Sequence, residues 1–242
     1  SRRQRQMCIR DRYKGFWAGA GLRTDLSGVT EITENGIKYT VDYINGQKTG
    51  FFLDQKYNRQ AIRRIAEGRT VLDCFTHTGS FALNAAAAGA KSVTAVDISA
   101  DAIEMTRRNA EQNGFTNVEF RQADVFDLLT ELYRAGGHPY DFIILDPPAF
   151  TKSSSTVRAA ERGYKEINLK AMRLLPRGGY LATCSCSHFM TETLFRHMLH
   201  DAAADAGVSL RQIEARRQAP DHPILWNVPE TDYLKFYIFQ VV

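Results

Sequence analysis

The chain has 242 residues, of which 44% are hydrophobic and 24% charged, with a formal net charge of +4. That length suits one large domain, or one domain with a small appendage, of ordinary globular composition. No run approaches the roughly 18 apolar residues of a membrane span, and no secretory h-region is visible near the start. Four cysteines without framework spacing (Cys8, Cys74, Cys184, Cys186) point to a reducing, cytoplasmic setting. The mildly basic balance is compatible with an RNA partner. It is weak support by itself, because much of the excess sits in Arg2, Arg3, Arg5, Arg10, Arg12 and Lys14. Ser1 to Arg12 carries no apolar periodicity and reads either as translated adaptor sequence or as a basic arm; it is set aside from the fold.

From residue 28 the pattern is that of β-hairpins. Val29 to Thr33 and Ile37 to Val41 flank Asn35-Gly36, a type I′ turn signal. Asn45-Gly46 supplies a second turn before Thr49 to Leu53. Asp54 is placed to cap a helix running to about Glu67, with Gly68 as its stop. Strands and helices then alternate. Strands are predicted over Val71–Phe75, Ser92–Val96, Asn117–Arg121, Asp141–Leu145 and Gly179–Thr183. The helices between and after them run over Ser80–Ala88, Ser99–Asn113, Val125–Arg134, Arg158–Leu175 and Thr191–Ala206. Two last strands, Leu210–Arg216 and Leu234–Val242, are joined by a loop holding Pro220, Pro223 and Pro229, which suggests an antiparallel pair at one edge. The alternation predicts an α/β fold: a doubly wound, mostly parallel seven-stranded sheet with a small N-terminal β-hairpin segment. The expected division is a tail over 1–27, the β segment over 28–53, and the α/β domain over 54–242.

In such a sheet ligands bind beyond the carboxyl ends of the strands. Those ends carry Asp73-Cys74-Phe75-Thr76-His77-Thr78-Gly79, then Asp97, Asp124, Asp146-Pro147-Pro148, and Thr183-Cys184-Ser185-Cys186-Ser187. The first loop has one glycine where a dinucleotide fingerprint needs three, so a pyrophosphate could not approach its backbone. A cofactor with a ribose and an amino-acid end fits better. Asp97, eighteen residues after Gly79, is where a carboxylate meets ribose hydroxyls. Asp124 is placed for an adenine amino group and Asp73 for an ammonium; the plainer reading of Asp97 and Asp124 is helix N-capping. Pro147 and Pro148 stiffen the loop after Asp146, with Phe150 available to stack on a planar substrate. Cys184 and Cys186 cannot form a normal disulfide with each other. On a strand they share a face, so spacing does not choose a nucleophile between them. Cys74 reads as core.

Together these loops resemble a class I S-adenosylmethionine-dependent methyltransferase. Gly46-Gln47-Lys48-Thr49-Gly50-Phe51-Phe52-Leu53-Asp54-Gln55 and the Thr183 to Ser187 run resemble, more narrowly, the bacterial family that methylates carbon 5 of a cytidine in large-subunit (23S) ribosomal RNA. The resemblance covers roughly residues 28 to 242. It implies S-adenosylmethionine as cofactor, ribosomal RNA as partner, and no membrane or metal; a homodimer is considered as the assembly. Members also carry an N-terminal RNA-binding PUA domain, so the chain is expected to be a truncated piece.

The resemblance implies a thiolate adding to cytosine carbon 6, which makes carbon 5 nucleophilic, with the base rotated into the pocket. It places the attacking thiol in a Thr-Cys-Ser context, hence Cys184, with Cys186 as runner-up or helper in release and Asp146 as partner of the ring. Cofactor contacts are expected from Phe52, Gln55, Asp73, Phe75, Thr76, Thr78, Gly79, Asp97, Ile98, Asp124, Val125 and Asp146. Substrate contacts are expected from Pro147, Pro148, Phe150 and Lys152, the last on a mobile loop with Ser153 to Ser155. Lys48, Arg59 and Arg63 are weaker candidates for phosphates, and His77 and His188 for proton transfer. No His/Cys/Asp spacing supports a metal. The rival readings are methylation of a purine nitrogen, which an Asp-Pro-Pro loop also suits and which needs no thiol, and a non-catalytic cofactor-binding RNA-binding remnant. An NAD-dependent dehydrogenase is disfavoured by the single glycine.

Overall fold

The computed structural model describes residues 28–43, 46, 50–151 and 153–242. The expected tail, Asn45 of the second turn signal, Lys48 and Lys152 lie outside the described residues. The chain divides into two compact units, one of them formed by Ile32–Thr40 and Phe52–Val242. The other takes in the open end of the first hairpin within Val41–Phe51 and up to Glu31. The site lies wholly in the former.

Strands β1 (Val29–Glu34) and β2 (Ile37–Asp42) form the expected hairpin. Asn35 and Gly36 both have positive φ, 54° and 79°, as a type I′ turn requires. No strand follows at 50–53; Leu53–Gln55 is instead a 3-10 turn leading into helix α1 (Lys56–Ala66). Asp54 therefore does not cap that helix. Its Oδ2 accepts the Tyr233 hydroxyl at 2.7 Å, a partner 179 residues away.

The alternation proceeds as β3 (Thr70–Cys74), α2 (Ser80–Ala87), β4 (Ser92–Asp97), α3 (Ala100–Gln112), β5 (Val118–Gln122), α4 (Val125–Ala135) and β6 (Phe142–Leu145). It continues with α5 (Val157–Leu174), β7 (Tyr180–Ser185), α6 (Glu192–Ala206), β8 (Leu210–Arg216) and β9 (Lys235–Val241). The seven-stranded sheet has the order β5-β4-β3-β6-β7-β9-β8. Only β9 runs antiparallel to its neighbours β7 and β8. The two last strands do pair at an edge, but the final one lies inside, between β7 and β8.

Alternating residues fill two cores. Leu72, Ile143, Leu145 and Leu181 pack on one face with Leu128, Tyr164 and Phe195 from α4, α5 and α6. Val71, Phe142, Ile144 and Ala182 pack on the other with Ile62 and Phe81 from α1 and α2. β6, at the centre, is buried along its whole length, as a run apolar on both faces should be. Strand order reverses between β3 and β6, which are parallel neighbours. Their carboxyl ends, Cys74 and Leu145, open side by side onto the two loops that carry the chemistry.

Candidate active site

β3 stops at Cys74 because Phe75 takes a left-handed conformation (φ 66°), one residue earlier than the sequence suggests. His77 (φ 54°) and Gly79 (φ 83°) continue the turn into α2. A Cβ at position 79 would stand 2.7 Å from Thr106 Cγ2, so only glycine fits there. The turn is tied down by Asp73, whose Oδ2 accepts Thr76 Oγ1 at 2.7 Å and the Ala82 amide at 2.9 Å. Asp73 Oδ1 is buried and has no hydrogen-bond partner, and Thr78 Oγ1 is in the same position. Burial, reinforced by the charge of Asp146, pushes the Asp73 carboxyl up to about 7.

Asp97, at the end of β4, accepts the His77 amide on Oδ2 and the Ser99 amide on Oδ1, each at 3.0 Å. Ser99, not Asp97, is the N-cap of α3. Ile98 beside it is exposed, an apolar side chain left open at the mouth of the turn. Asp124 does cap α4, accepting from the Phe126 and Asp127 amides. The Val125 side chain is buried in the core. Phe52 packs its ring 5.0 Å from that of His77.

The second half of the site lies at β6 and β7. β7 extends to Ser185, so Cys184 is within the strand and fully buried, while Cys186 follows it and is half-buried. The Cys184 thiol donates to Asp146 Oδ1 at 2.8 Å. Burial and the neighbouring carboxylate push that thiol well above its usual range. Cys186 Sγ lies 4.0 Å from the Pro147 carbonyl. Asp146 itself is raised to about 6 by burial, against the lowering effect of its bonds from Cys184 and Gln55.

Gln55, expected at the cofactor, has its side-chain contacts here. Its Nε2 lies 3.2 Å from Asp146 Oδ1 and 3.5 Å from Cys184 Sγ, on the thiol–carboxylate pair. Phe150 sits in an aromatic cluster, with ring centroids 4.6 Å from Tyr164, 5.8 Å from Phe126 and 6.5 Å from Phe75. Pro147 is buried and Pro148 exposed. Arg59 and Arg63 are engaged at the hairpin. Arg59 is buried and grips Glu34 through two bonds of 2.5 and 2.7 Å, and Arg63 donates to the Asn35 carbonyl, so both hold the hairpin tip. The His188 ring lies 5.4 Å from that of Phe189.

Three supports escaped sequence reasoning. Lys235, at the start of β9, is buried and donates to the Ser187 and Tyr233 carbonyls at 2.6 and 2.9 Å. Burial lowers its ammonium to about 8, while the charges of Cys186 and Cys184 act in the opposite sense. Tyr164 takes the Ser185 hydroxyl at 3.0 Å, and the Thr151 carbonyl takes that of Ser187 at 3.0 Å. A lone lysine opening the apolar run Leu234 to Val242 was the one available signal.

A mostly parallel sheet of this order, with acidic strand ends around a single-glycine turn, defines a class I methyltransferase. The family model for S-adenosylmethionine-dependent methyltransferases matches residues 1–239, and the chain belongs to that family, whose cofactor is S-adenosylmethionine. It closely matches bacterial proteins named ribosomal RNA large subunit methyltransferase I. The Aeromonas salmonicida protein is 48% identical over 84% of this chain and 52% of its own length. The Erwinia tasmaniensis protein is 46% identical over 87% of this chain and 54% of its own. The chain thus spans about half the length of these relatives. Among solved structures, a SAM-dependent methyltransferase from Streptococcus mutans superposes with a TM-score of 0.79 at 26% identity, over 90% of this chain and 57% of that one. TYW2 of M. jannaschii in complex with AdoMet, at 18% identity and a TM-score of 0.61 over 89% of this chain and 87% of that one, shares the fold.

The residues of the first turn fit that cofactor. The buried Asp73 Oδ1, without a hydrogen-bond partner, is an acceptor that a cationic donor would satisfy, and a Gly-only position keeps the turn tight against α3. Among the described residues, no group of three or more His, Cys, Asp and Glu side chains could hold a metal ion. No described helix is long and apolar enough to cross a membrane.

Proposed function

We propose that the chain is the catalytic portion of an enzyme that methylates carbon 5 of a cytidine in 23S ribosomal RNA, with residues 54–242 as the catalytic domain, 28–53 as a small β segment and 1–27 as a tail. The observation that carries this reading is the pair of thiols beside a proline-stiffened carboxylate. Cys184 bonds Asp146 at 2.8 Å, and Cys186 stands half-buried against the Pro147 carbonyl.

The cofactor, held by Asp73, Asp97, Ile98 and Asp124 around the turn at Gly79, supplies an electrophilic sulfonium methyl when bound. The chain's own residues make the ring nucleophilic. A thiolate adds to carbon 6 and breaks the carbon 5–carbon 6 double bond. The electron density moves to carbon 5, and ring N3 takes a proton from Asp146. After methylation a base removes the carbon 5 proton, the carbon–sulfur bond breaks, and N3 returns its proton. A carboxyl raised to about 6 is suited to giving and regaining a proton near neutral pH.

Burial and bonding favour Cys186 over Cys184 as the attacking thiol. A nucleophile must be reachable and able to ionise. Cys184 is fully buried, and a carboxylate at hydrogen-bond distance disfavours its thiolate. Cys186 is half-buried, and the Lys235 ammonium interacts with the charge of either thiol, more strongly with that of Cys186. Cys184 then keeps Asp146 in place. Pro148 and the aromatic cluster at Phe150 form the wall for the base.

The test is methyl transfer from radiolabelled S-adenosylmethionine to naked 23S ribosomal RNA, followed by digestion to nucleosides. Label in 5-methylcytidine supports the reading. Label in a methylated purine supports the rival nitrogen chemistry, and binding of the cofactor without transfer supports a non-catalytic remnant.

A further inference from the structure

Gln55 is one link in a hydrogen-bonded chain that runs from β8 to the centre of the site. Arg216 Nε donates to Asn58 Oδ1 at 3.2 Å. Asn58 Nδ2 donates to Gln55 Oε1 at 2.6 Å and to the Arg217 carbonyl at 3.3 Å. Gln55 Nε2 donates to Asp146 Oδ1 and Cys184 Sγ. Asn58 and Gln55 are both buried, so neither amide can exchange its partners for water.

The direction of this chain is fixed from its outer end. A guanidinium only donates and a peptide carbonyl only accepts. Arg216 therefore requires the oxygen of Asn58 to face it, and the Arg217 carbonyl requires the NH2. With Asn58 set, its NH2 meets Gln55, which must answer with its oxygen. That leaves the Gln55 NH2, and not its carbonyl, for Asp146. Were the Gln55 amide reversed, two acceptors would face each other in a buried site.

We propose that Asn58, held by Arg216, is a positioning residue that sets the orientation of the Gln55 amide and thereby keeps a donor on the Asp146 carboxylate. The proposal rests on the reading of Asp146 as the partner of the ring. Neither Asn58 nor Arg216 touches Asp146; they act through Gln55. The other groups that face or act on Asp146 are the Cys184 thiol from β7, Asp54 and Arg59 from the turn before α1 and from α1, and Asp73 from β3.

The experiment is a titration of Asp146 by carboxyl carbon NMR on the full chain labelled in aspartate, with the resonance assigned by its loss in Asp146→Asn. Removing the donor disfavours the ionised form, so Gln55→Met raises the inflection of Asp146 by about half a pH unit or more. Asn58→Leu, close in shape, raises it likewise. The double variant titrates like Gln55→Met alone, because Asn58 acts only through Gln55. An Asn58→Leu protein in which Asp146 titrates as in the native chain, or a double variant in which the two shifts add, overturns the proposal. Should Asn58→Leu not fold, the smaller Asn58→Ala decides alone: an upward shift supports the proposal and an unchanged titration overturns it. Methyl transfer by Asp146→Asn separates the two readings. If it is undiminished while the titration shifts as stated, the role of Asp146 in the reaction fails and the positioning chain stands.

Discussion

Asp146 and the two thiols form one electrostatic unit with unequal members. Cys184 holds its proton against the Asp146 carboxylate, and Cys186 is the half-buried thiol of the two. Cys186→Ala is therefore expected to lower methyl transfer on the order of 10³-fold or more, as loss of a nucleophile does. Cys184→Ala is expected to lower it about tenfold, equivalent to one lost hydrogen bond to a carboxylate of about 1.4 kcal/mol. Initial rates on 23S ribosomal RNA check both. Asp73 makes a second residue-scale prediction. Its carboxyl stands at about 7 in the free protein. An ammonium placed against Oδ1 favours the ionised form and lowers that value, so binding releases protons near neutral pH. Affinity for S-adenosylmethionine should then weaken as pH falls below about 7, approaching tenfold per pH unit. Asp73→Asn should bind more weakly and lose that slope. Calorimetric titration between pH 5.5 and 8 in buffers of different ionisation enthalpy measures both effects, and a flat affinity would contradict the placement of the ammonium.

At the scale of elements, much was legible because the relevant residues are neighbours in sequence. Asn35-Gly36 required a left-handed turn, Gly79 marked the entry to α2, and the carboxylates closing β4 and β6 stood where a parallel sheet exposes them. What escaped reading depends on distant partners. Asp54 does not cap α1 because Tyr233 takes its carboxylate, and Gln55 serves Asp146, 91 residues on. The interior place of β9 depends on its pairing back to β7, which no local pattern announces. Arg59, a candidate for phosphates in the sequence, is buried on Glu34 at the hairpin tip. Arg59→Met strands a buried carboxylate and is expected to cost about 3–5 kcal/mol of stability, measured by urea denaturation. The double variant Arg59→Met, Glu34→Leu should recover most of that loss; additive losses would show that the pair is not the unit that matters.

Taken whole, the molecule sets the Asp73–Gly79 turn and the Asp146 loop on adjacent strand ends, β3 and β6, where the order of the sheet reverses, with the two thiols alongside at the end of β7. That neighbourhood suits a methyl group passing from a bound cofactor to a ring carbon made nucleophilic by sulfur. The proposed carbon chemistry uses a thiol, whereas nitrogen chemistry would leave both idle. The direct measurement is a covalent trap. The full chain is incubated with S-adenosylmethionine and 23S ribosomal RNA transcribed with 5-fluorocytidine, whose carbon 5 carries no proton to remove, and the adducted peptide is mapped by mass spectrometry. The expected result is a stable protein–RNA adduct on Cys186, absent in Cys186→Ala and retained in Cys184→Ala. An adduct on Cys184 would reverse the roles of the two thiols. Methyl transfer to unmodified RNA with no adduct on either cysteine would contradict the thiol mechanism itself.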